Sequence, residues 1–298
     1  MANISHLAQI GARSQADPLR QVRVSLVRWH GATADDAEDE LVAEEPLEVR
    51  VAPDGDTSAT TLAVIMRTPG HDEELAAGFL FSEGLLTSHA ELTALRSGSD
   101  ADGLPSPNVI EVVPVSGLDI AQRAQEAGYS RQFAVNASCG VCGKNSVMAA
   151  CAVLPPLPAD DFAITPDTLY ALPDRLRAEQ RVFRATGGLH AAGLFDSQGK
   201  LLALREDIGR HNAVDKLVGR ALLDDALPLR ERILLVSGRL SFEIVLKALA
   251  AGIPLVAAVS APSQLAVDLA ESGGVTLAAF LRGASVNVYT HPWRIHAG

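Results

Sequence analysis

Cysteine is scarce in this chain, which has only Cys139, Cys142 and Cys151 in 298 residues. Three cysteines are too few for the disulfide framework of a small secreted protein. Residues 1–20 contain no apolar core of signal-peptide length, and no apolar run is long enough to span a bilayer. These absences predict a cytoplasmic protein, in which the thiols stay reduced and available for chemistry.

Basic residues are also few, because 25 lysines and arginines stand against 36 acidic residues, for a net charge of -11. A chain with this net charge is not expected to be a general nucleic-acid-binding or anionic-membrane-binding protein. A single basic cleft is still compatible with a negative net charge. Hydrophobic residues make up 48% of the chain and charged residues 20%, which predicts a folded protein with a sizeable core.

The chain is predicted to have three parts. Residues 1–20 are expected to form a flexible N-terminal arm. A cluster of prolines near residue 155 predicts a joint between an N-terminal α/β part, residues 21–154, and a C-terminal α/β part, residues 155–298. The N-terminal part carries the cysteine pair, and the C-terminal part carries the predicted cofactor-binding corners.

Period-two patterning predicts strands in the N-terminal part. Apolar and polar residues alternate in residues 22–26, as in a half-buried strand. Further strands are predicted at residues 47–51, 61–66 and 109–115. A helix is predicted to open within Thr68–Glu74, where acidic residues suit the helix dipole. The acidic segment 35–45 has no clear period and is predicted to be a loop, and the turn-rich segment 97–107 is predicted to be exposed.

The C-terminal part alternates strand and helix. A hairpin is predicted at residues 189–195 and 201–204. Residues 233–236 and 255–259 are short and wholly apolar, which is typical of parallel strands covered on both faces. Each is followed by a small polar corner and then a helix, in a βαβ rhythm. Because ligands bind at the carboxyl ends of such strands, these two corners are the predicted binding site.

Cys139 and Cys142 form a C-x-x-C pair flanked by Gly140 and Gly143. The glycines predict a mobile, exposed loop, which is a poor place for an inert thiol. Such a pair is compatible with zinc binding, dithiol redox chemistry, persulfide transfer or no role at all, and its spacing alone does not decide. Cys151 lies in an apolar stretch and is predicted to be part of the core.

A zinc deaminase is a further candidate, since those enzymes combine H-x-E with P-C-x-x-C and use the glutamate as general acid and base. Here His190 is followed by Ala191 and Ala192, so the glutamate is missing, and His190 follows the cysteines along the chain. Deaminase catalysis is therefore not expected, although a related fold stays open.

Five sequence blocks occur together in one order. They are Thr68–Leu75 with Gly78–Leu80 and Glu83–Gly84; Ser138–Lys144; Thr186–His190; Arg205–Lys216; and Ser237–Thr290. On these blocks the chain resembles the formate dehydrogenase accessory sulfurtransferases, the FdhD-type family. A C-x-x-C pair alone is weak evidence, whereas this ordered set is highly specific.

The resemblance implies that the protein is a sulfurtransferase. Such proteins accept persulfide sulfur from a cysteine desulfurase and deliver it to a molybdenum bis(molybdopterin guanine dinucleotide) cofactor, which is needed for active formate dehydrogenase. Cys139 then matches the persulfide position and Cys142 the second cysteine. The resemblance also implies a cytidine-deaminase-like layered α/β core with a smaller N-terminal β-rich part, and a homodimer. The cofactor would be a bound substrate, and no permanently bound metal is expected.

The family's cofactor-binding stretch maps near Phe280, Leu281, Arg282, Gly283, Ala284 and Ser285. Arg239 and Arg282 are suited to bidentate contacts with phosphate, and the helix N-termini after the two corners to further phosphate contacts. Phe280 is predicted either to stack on a base or to belong to the strand core.

The segment Arg205–Lys216 is dense in polar groups. His211 with Asp215, and Asn212 with Lys216, have i,i+4 spacing and share helix faces. The segment is predicted either to act through Arg210 and His211 or to be a solvated charged face. His190 is likewise either functional or a core histidine.

The sequence thus predicts a persulfide carrier acting through Cys139. Two alternatives remain, a non-catalytic cofactor-binding chaperone of formate dehydrogenase and a dithiol oxidoreductase that cycles a Cys139–Cys142 disulfide.

Overall fold

A computed structural model describes residues 20–52, 59–100, 102–127 and 154–296. Residues 1–19 of the predicted N-terminal arm and the cysteine pair lie outside these ranges.

The described strands are β1 (Gln21–His30), β2 (Thr33–Val42), β3 (Glu45–Val51), β4 (Thr60–Arg67), β5 (Leu92–Ser99), β6 (Pro105–Pro114), β7 (His190–Phe195), β8 (Leu201–Asp207), β9 (Ile233–Val236), β10 (Leu255–Ala258), β11 (Thr276–Arg282) and β12 (Ser285–Thr290). The described α-helices are α1 (Asp72–Ser82), α2 (Ile120–Glu126), α3 (Pro166–Glu179), α4 (Arg181–Thr186), α5 (Arg210–Leu223), α6 (Phe242–Ala250) and α7 (Gln264–Gly273).

The largest sheet has six strands in the order β12-β11-β10-β9-β7-β8. Strands β9, β10 and β11 run parallel, and the outer strands pair antiparallel. Every residue of β9 and β10 is buried, as their continuous apolar sequences predicted. Both predicted strands, the helix after each corner and the β7–β8 hairpin are therefore confirmed.

Helices cover both faces of this sheet. Helices α5, α6 and α7 contribute to one buried apolar cluster with alternate residues of β9 and β10. On the other face α3 packs Leu169, Leu172 and Leu176 against the remaining residues of the same strands. The carboxyl ends of β9, β10 and β11 consequently meet at one edge, where the connecting loops are left uncovered by these helices.

A second sheet has four strands in the order β4-β3-β6-β5. Its core combines Leu47, Val49 and Ile65 of β3 and β4 with α1 residues such as Leu75 and Leu80. Helix α1 begins at Asp72 with three acidic residues in its first turn, as predicted for this segment. The mixed α/β architecture is confirmed, while the division at residue 154 stays a prediction.

Helices α1 and α5, which are distant in the chain, lie in direct contact. A Cβ atom on Gly78 would lie 1.9 Å from the carbonyl oxygen of Asp215, and one on Gly219 would lie 1.8 Å from that of Glu74. Each glycine therefore lets the facing backbone approach to a distance that no other residue allows. The backbones meet because both positions lack a side chain.

Two predictions of irregular structure were wrong in extent. The acidic segment 35–45 is not a loop, because β2 runs through it and pairs with β1 over ten residues. Its carboxylates lie on an exposed hairpin, where charged side chains need no apolar alternation. In segment 97–107 only the middle is a turn, since β5 extends to Ser99 and β6 begins at Pro105.

Replacing Gly78 with alanine is expected to destabilise the protein by about 3 kcal/mol or more, because overpacking against backbone cannot be relieved by a rotamer change. Urea unfolding followed by circular dichroism measures the effect. Gly84 is a matched control, because its φ is +74° but no atom lies within 4 Å of its added Cβ. Alanine there should cost only about 1–2 kcal/mol of backbone strain. Equal losses of unfolding free energy in the two variants would show that the close approach of α1 to α5 does not exclude a side chain at residue 78.

Candidate functional site

The two corners that follow β9 and β10 lie side by side at the carboxyl edge of the large sheet. The backbone N–H of Leu240 donates to the carbonyl of Ala261 at 3.1 Å, and that of Ser263 donates to the carbonyl of Leu240 at 2.9 Å. The N–H of Phe280, near the end of β11, donates to the carbonyl of Ser260 at 3.2 Å. These hydrogen bonds join both corners and the β11–β12 turn into one continuous surface.

The β11–β12 turn contains the predicted cofactor-binding stretch. Phe280 lies at a register shift between the two strands and has a left-handed φ of +54°, which is unusual for a bulky residue. The residue is 37% exposed and is not part of the buried core, so the alternative of a core phenylalanine is wrong. The guanidinium carbon of Arg282 is 6.0 Å from the centre of this ring, within the range of a cation–π contact. Together they form an exposed aromatic and cationic pair.

The other residues of this stretch differ in what they can offer. Gly283 has a φ of +51° and no atom within 4 Å of an added Cβ, and Ala284 and Ser285 are exposed. The Leu281 side chain is buried among core residues of the α3 face. Leu281 is thus available to a ligand only through its backbone.

Three cationic or titratable side chains surround Gly238 in the first corner. A Cβ on Gly238 would lie 3.4 Å from both Arg210 Cδ and His190 Nδ1, so these side chains flank the corner directly. The charge of the exposed Arg239 also reaches His190. The Nε atom of Arg210 is buried and has no hydrogen-bond partner among the described residues. In a protein of net charge -11, this corner is a local positive site.

His190 is half-buried at the start of β7. Burial lowers the pKa of its imidazole, the charges of Arg210 and Arg239 lower the pKa further, and Asp207 opposes them. The imidazole is therefore neutral near pH 7. A neutral ring beside two guanidinium groups can accept or donate a hydrogen bond without adding to their charge.

A cavity of about 410 Å³ opens beside His190. Leu176, Phe183 and Leu189 give it an apolar lining, and Arg177 stands at 5.9 Å from the centre of the Phe183 ring. A larger cavity of about 560 Å³ lies at the opposite edge of the sheet, beside residues that precede β9 and β10. Ligands of open α/β sheets bind at the carboxyl ends of the strands, which favours the smaller cavity.

Polar groups of the Arg205–Lys216 segment are buried instead of solvated. The Asp207 carboxylate is fully buried and accepts from Lys216 Nζ at 2.7 Å, Asn212 Nδ2 at 2.9 Å and the backbone N–H groups of Gly209 and Thr68 at 2.8 and 3.2 Å. Lys216 also donates to the Thr68 carbonyl at 2.8 Å. Burial lowers the pKa of Lys216, and the charge of Asp207 opposes this effect. The alternative of a solvated charged face is wrong, because the segment before α1 covers it.

A second buried pair involves Asp215, the residue directly before Lys216 on α5. The Asp215 carboxylate accepts from Lys247 Nζ at 2.7 and 2.9 Å and from Ser82 Oγ at 2.8 Å. Burial raises the pKa of Asp215, and Lys247 and Ser82 counteract it. His211 Nε2 lies 3.1 Å from Ser241 Oγ at the start of α6. The residues with i,i+4 spacing thus make hydrogen bonds or ion pairs with other elements.

A third ion pair joins α1 to β8. Arg205 contacts the Glu74 carboxylate through Nε at 2.5 Å and through Nη2 at 2.6 Å. Burial by itself raises the pKa of Glu74, but hydrogen bonds from Arg205 and His71 outweigh it and lower the pKa to about 2. Glu74 is thus ionised at neutral pH and fixes the start of α1 against the large sheet.

Comparison with known proteins assigns the chain to a family. The sequence model of the FdhD/NarQ family matches residues 42–296. The chain belongs to the FdhD/NarQ family. A relative from Streptomyces coelicolor, named Sulfur carrier protein FdhD, is 49% identical over 277 residues, which are 92% of this chain and 95% of the relative. The protein of that name from Mycolicibacterium paratuberculosis is 50% identical over 258 residues, 86% and 91% of the two chains.

A solved structure has the same fold. A crystal structure from Desulfotalea psychrophila, assigned to a formate dehydrogenase accessory protein, superposes with a TM-score of 0.68 over 93% of this chain and 99% of its own. At 24% identity this similarity bears on the fold alone. The resemblance to the FdhD-type family, stated from five sequence blocks, is confirmed.

The structure separates the predicted site residues into groups. Arg239, Phe280 and Arg282 lie at the carboxyl edge, and their role in binding stays a prediction. Cys139 and Cys142 lie outside the described residues. Sequence reasoning missed the α3–α4 lining of the cavity, Arg177 and Phe183, because nothing in local spacing places this helix pair beside β7.

Two negative observations apply to the described part of the chain alone. It contains no helix that is long and apolar enough to cross a membrane. It also contains no cluster of three or more His, Asp or Glu side chains arranged to hold a metal ion.

Replacing Lys216 with methionine is expected to destabilise the protein by about 3–5 kcal/mol, because the Asp207 carboxylate stays buried after losing its cation. Arg220→Met is the control, since Arg220 is on the same helix but its ion pair with Asp224 is exposed. That variant should lose less than about 1 kcal/mol. Urea unfolding monitored by fluorescence compares them, and similar midpoints for both would contradict a structural role of the buried pair.

Proposed function

We propose that this protein is a sulfur carrier that serves formate dehydrogenase. It accepts persulfide sulfur from a cysteine desulfurase on Cys139 and passes it to the molybdenum bis(molybdopterin guanine dinucleotide) cofactor. The observation that carries the proposal is the 49% identity, over nearly the whole chain, to proteins named Sulfur carrier protein FdhD. The pair Cys139 and Cys142 supplies the thiols that such a role needs.

The proposed chemistry is thiol–persulfide exchange. The Cys139 thiolate attacks the terminal sulfur of the persulfide on the donor enzyme, and a new S–S bond forms at Cys139. The donor's S–S bond breaks, and its electron pair stays on the donor cysteine as a thiolate. The glycines beside the pair in the sequence, Gly140 and Gly143, would suit a carrier thiol that has to meet two partners in turn. The charge of Lys144 would lower the pKa of a nearby thiol.

The carboxyl edge of the large sheet supports the cofactor part of the proposal. A dinucleotide cofactor is polyanionic, and Arg210, Arg239 and Arg282 place cations on one continuous surface of an otherwise acidic protein. Guanidinium groups bind phosphate in bidentate fashion. The exposed Phe280 ring offers a stacking surface for a base. The cofactor would enter as a substrate, with no permanently bound metal in the protein.

Two structural expectations belong to the same proposal. One is a cytidine-deaminase-like layering of the core, in which His190 does not bring the deaminase motif with it. Because Ala191 and Ala192 follow it where the catalytic glutamate would be needed, deaminase chemistry does not come with the fold. We also propose that the protein acts in the cytoplasm as a homodimer.

Sulfur loading is expected to depend on Cys139. After incubation with a cysteine desulfurase and cysteine, without reductant, peptide mass spectrometry should find one added sulfur on the Cys139 peptide, removable by thiol. Cys139→Ala should abolish the addition, and Cys151→Ala is the control that should retain it. A Cys139→Ala protein that still activates formate dehydrogenase fully would point to the cofactor-binding chaperone. A reversible Cys139–Cys142 disulfide in a redox titration, without sulfur loading, would point to the dithiol oxidoreductase.

Guanine-nucleotide binding is expected to weaken by about tenfold or more in Arg282→Ala, because each lost charge-assisted hydrogen bond contributes about 1.5–3 kcal/mol. Isothermal titration calorimetry with GDP measures the change. Arg220→Ala, an exposed arginine on α5, is the matched control and should bind as the wild type does. Equal affinity in Arg282→Ala would remove this residue from the site.

A further inference from the structure

The β1–β2 hairpin is a long element whose outer part, residues 27–36, has no covering layer in the described part of the chain. Its ten-residue ladder carries no buried residue on either strand. Val22, Val24 and Leu26 are half-buried near its base, but the outer part buries no apolar surface, and such a two-stranded ribbon is at best marginally stable in water. An element of this length is therefore expected to have a partner when the protein works.

The far end of one hairpin face carries an apolar patch. Trp29 is 67% exposed and lies opposite Ala34, and Val27 is 57% exposed and lies opposite Asp36. These side chains share a face, because alternate residues of a strand point the same way and paired residues lie on the same side. Exposed tryptophans of this kind are the residues that most often dominate protein–protein binding energy.

Carboxylates are frequent on this hairpin, and Asp36, Glu38 and Glu40 share the face of the patch. Strand β2 contributes five, Asp35, Asp36, Glu38, Asp39 and Glu40, while β1 contributes only two arginines, Arg23 and Arg28. Arg23 lies within 4 Å of Glu38 and Glu40, so one cation is already shared by two carboxylates. The hairpin thus presents an aromatic anchor within a negative field, which is complementary to an apolar pocket bordered by lysine or arginine.

The same charges argue against a second copy of this chain as the occupant. If this face packed on its own copy, Asp36 and Glu38 of one chain would meet carboxylates of the other. Like charges in contact across an interface cost several kcal/mol by rough estimate. A different protein with a basic surface is the better match.

The base of the hairpin adjoins the candidate site. A Cβ on Gly188 would lie 3.2 Å from Val42 Cγ1, and Gly188 also lines the cavity beside His190. Ten residues of strand span roughly 33 Å, and all described residues of the outer part, 27–36, are exposed. A protein bound along it is held next to the cavity at the carboxyl edge.

We propose that the β1–β2 hairpin is a docking arm for a partner protein that offers an apolar pocket with a basic border. The patch formed by Val27, Trp29 and Ala34 fills the pocket, and the β2 carboxylates contact the border. The choice of partners to test rests on the proposed function, under which a cysteine desulfurase and formate dehydrogenase exchange sulfur with this protein.

The test is binding of the full-length protein to each purified enzyme from the same organism, by biolayer interferometry at low and high salt. Trp29→Ser should weaken binding of one enzyme by about 30-fold or more. The double variant Asp36→Lys with Glu38→Lys should slow association and weaken its salt dependence. Trp293→Ser is the matched control, since Trp293 is 61% exposed outside the hairpin and should leave affinity unchanged.

Three outcomes would overturn the docking arm. They are no binding of either enzyme to the wild-type protein, unchanged affinity in both hairpin variants, and conversion of a dimer to a monomer by Trp29→Ser with unchanged enzyme affinity. The last outcome would assign the face to self-association.

Loading from inorganic polysulfide separates this proposal from the sulfur-carrier function, because a small donor needs no docking. The hairpin variants should load from polysulfide at the wild-type rate but load more slowly from the desulfurase. Absence of loading from either donor in the wild-type protein would refute the carrier function, whereas the binding measurements would still decide the docking arm.

Discussion

The buried carboxylate of Asp207 is the point on which the two halves of this protein are joined. It ends β8, and its four donors come from the turn before α5, from α5 itself and from the segment that leads into α1. A fully buried carboxylate is tolerated only when its lone pairs are satisfied and its charge is paired. Asp207 therefore fixes Thr68, and with it the start of α1, against the large sheet.

The contact of α1 with α5 extends this junction by a different mechanism. Gly78 and Gly219 have no side chains, so the backbones of the two helices can approach one another closely. Near this contact, the buried carboxylate of Asp215 is paired with the ammonium group of Lys247. Steric and electrostatic constraints thus act on the same pair of helices. The consequence is a rigid support for α5, whose first residue, Arg210, stands at the positive corner beside His190.

The carboxyl edge of the large sheet carries the cationic residues that α5 and the loops after the strands hold in place. Parallel β9, β10 and β11 end together, and hydrogen bonds between their loops keep Arg239 and the Phe280–Arg282 pair on one surface. The overall negative charge of the protein makes such a local cationic surface selective, since most of the molecule repels polyanions. Burial keeps His190 neutral there, so that the positive charge comes from the arginines.

The sequence by itself determined the family and the βαβ core. Wholly apolar runs at residues 233–236 and 255–259 have few alternatives to buried parallel strands, and the ordered motif blocks specify one family. It also predicted the thiols and the basic and aromatic residues of the β11–β12 turn as site residues, and these roles stay predictions. Only the tertiary structure decided which polar residues face solvent. His211 with Asp215, and Asn212 with Lys216, have the local spacing of an exposed helix face. Their burial depends on α6 and on α1 with the segment before it, which are distant in the chain. The acidic strand β2 is a different case, because its own residues show no apolar alternation that would predict a strand. It is a strand because it pairs with β1 across a tight turn.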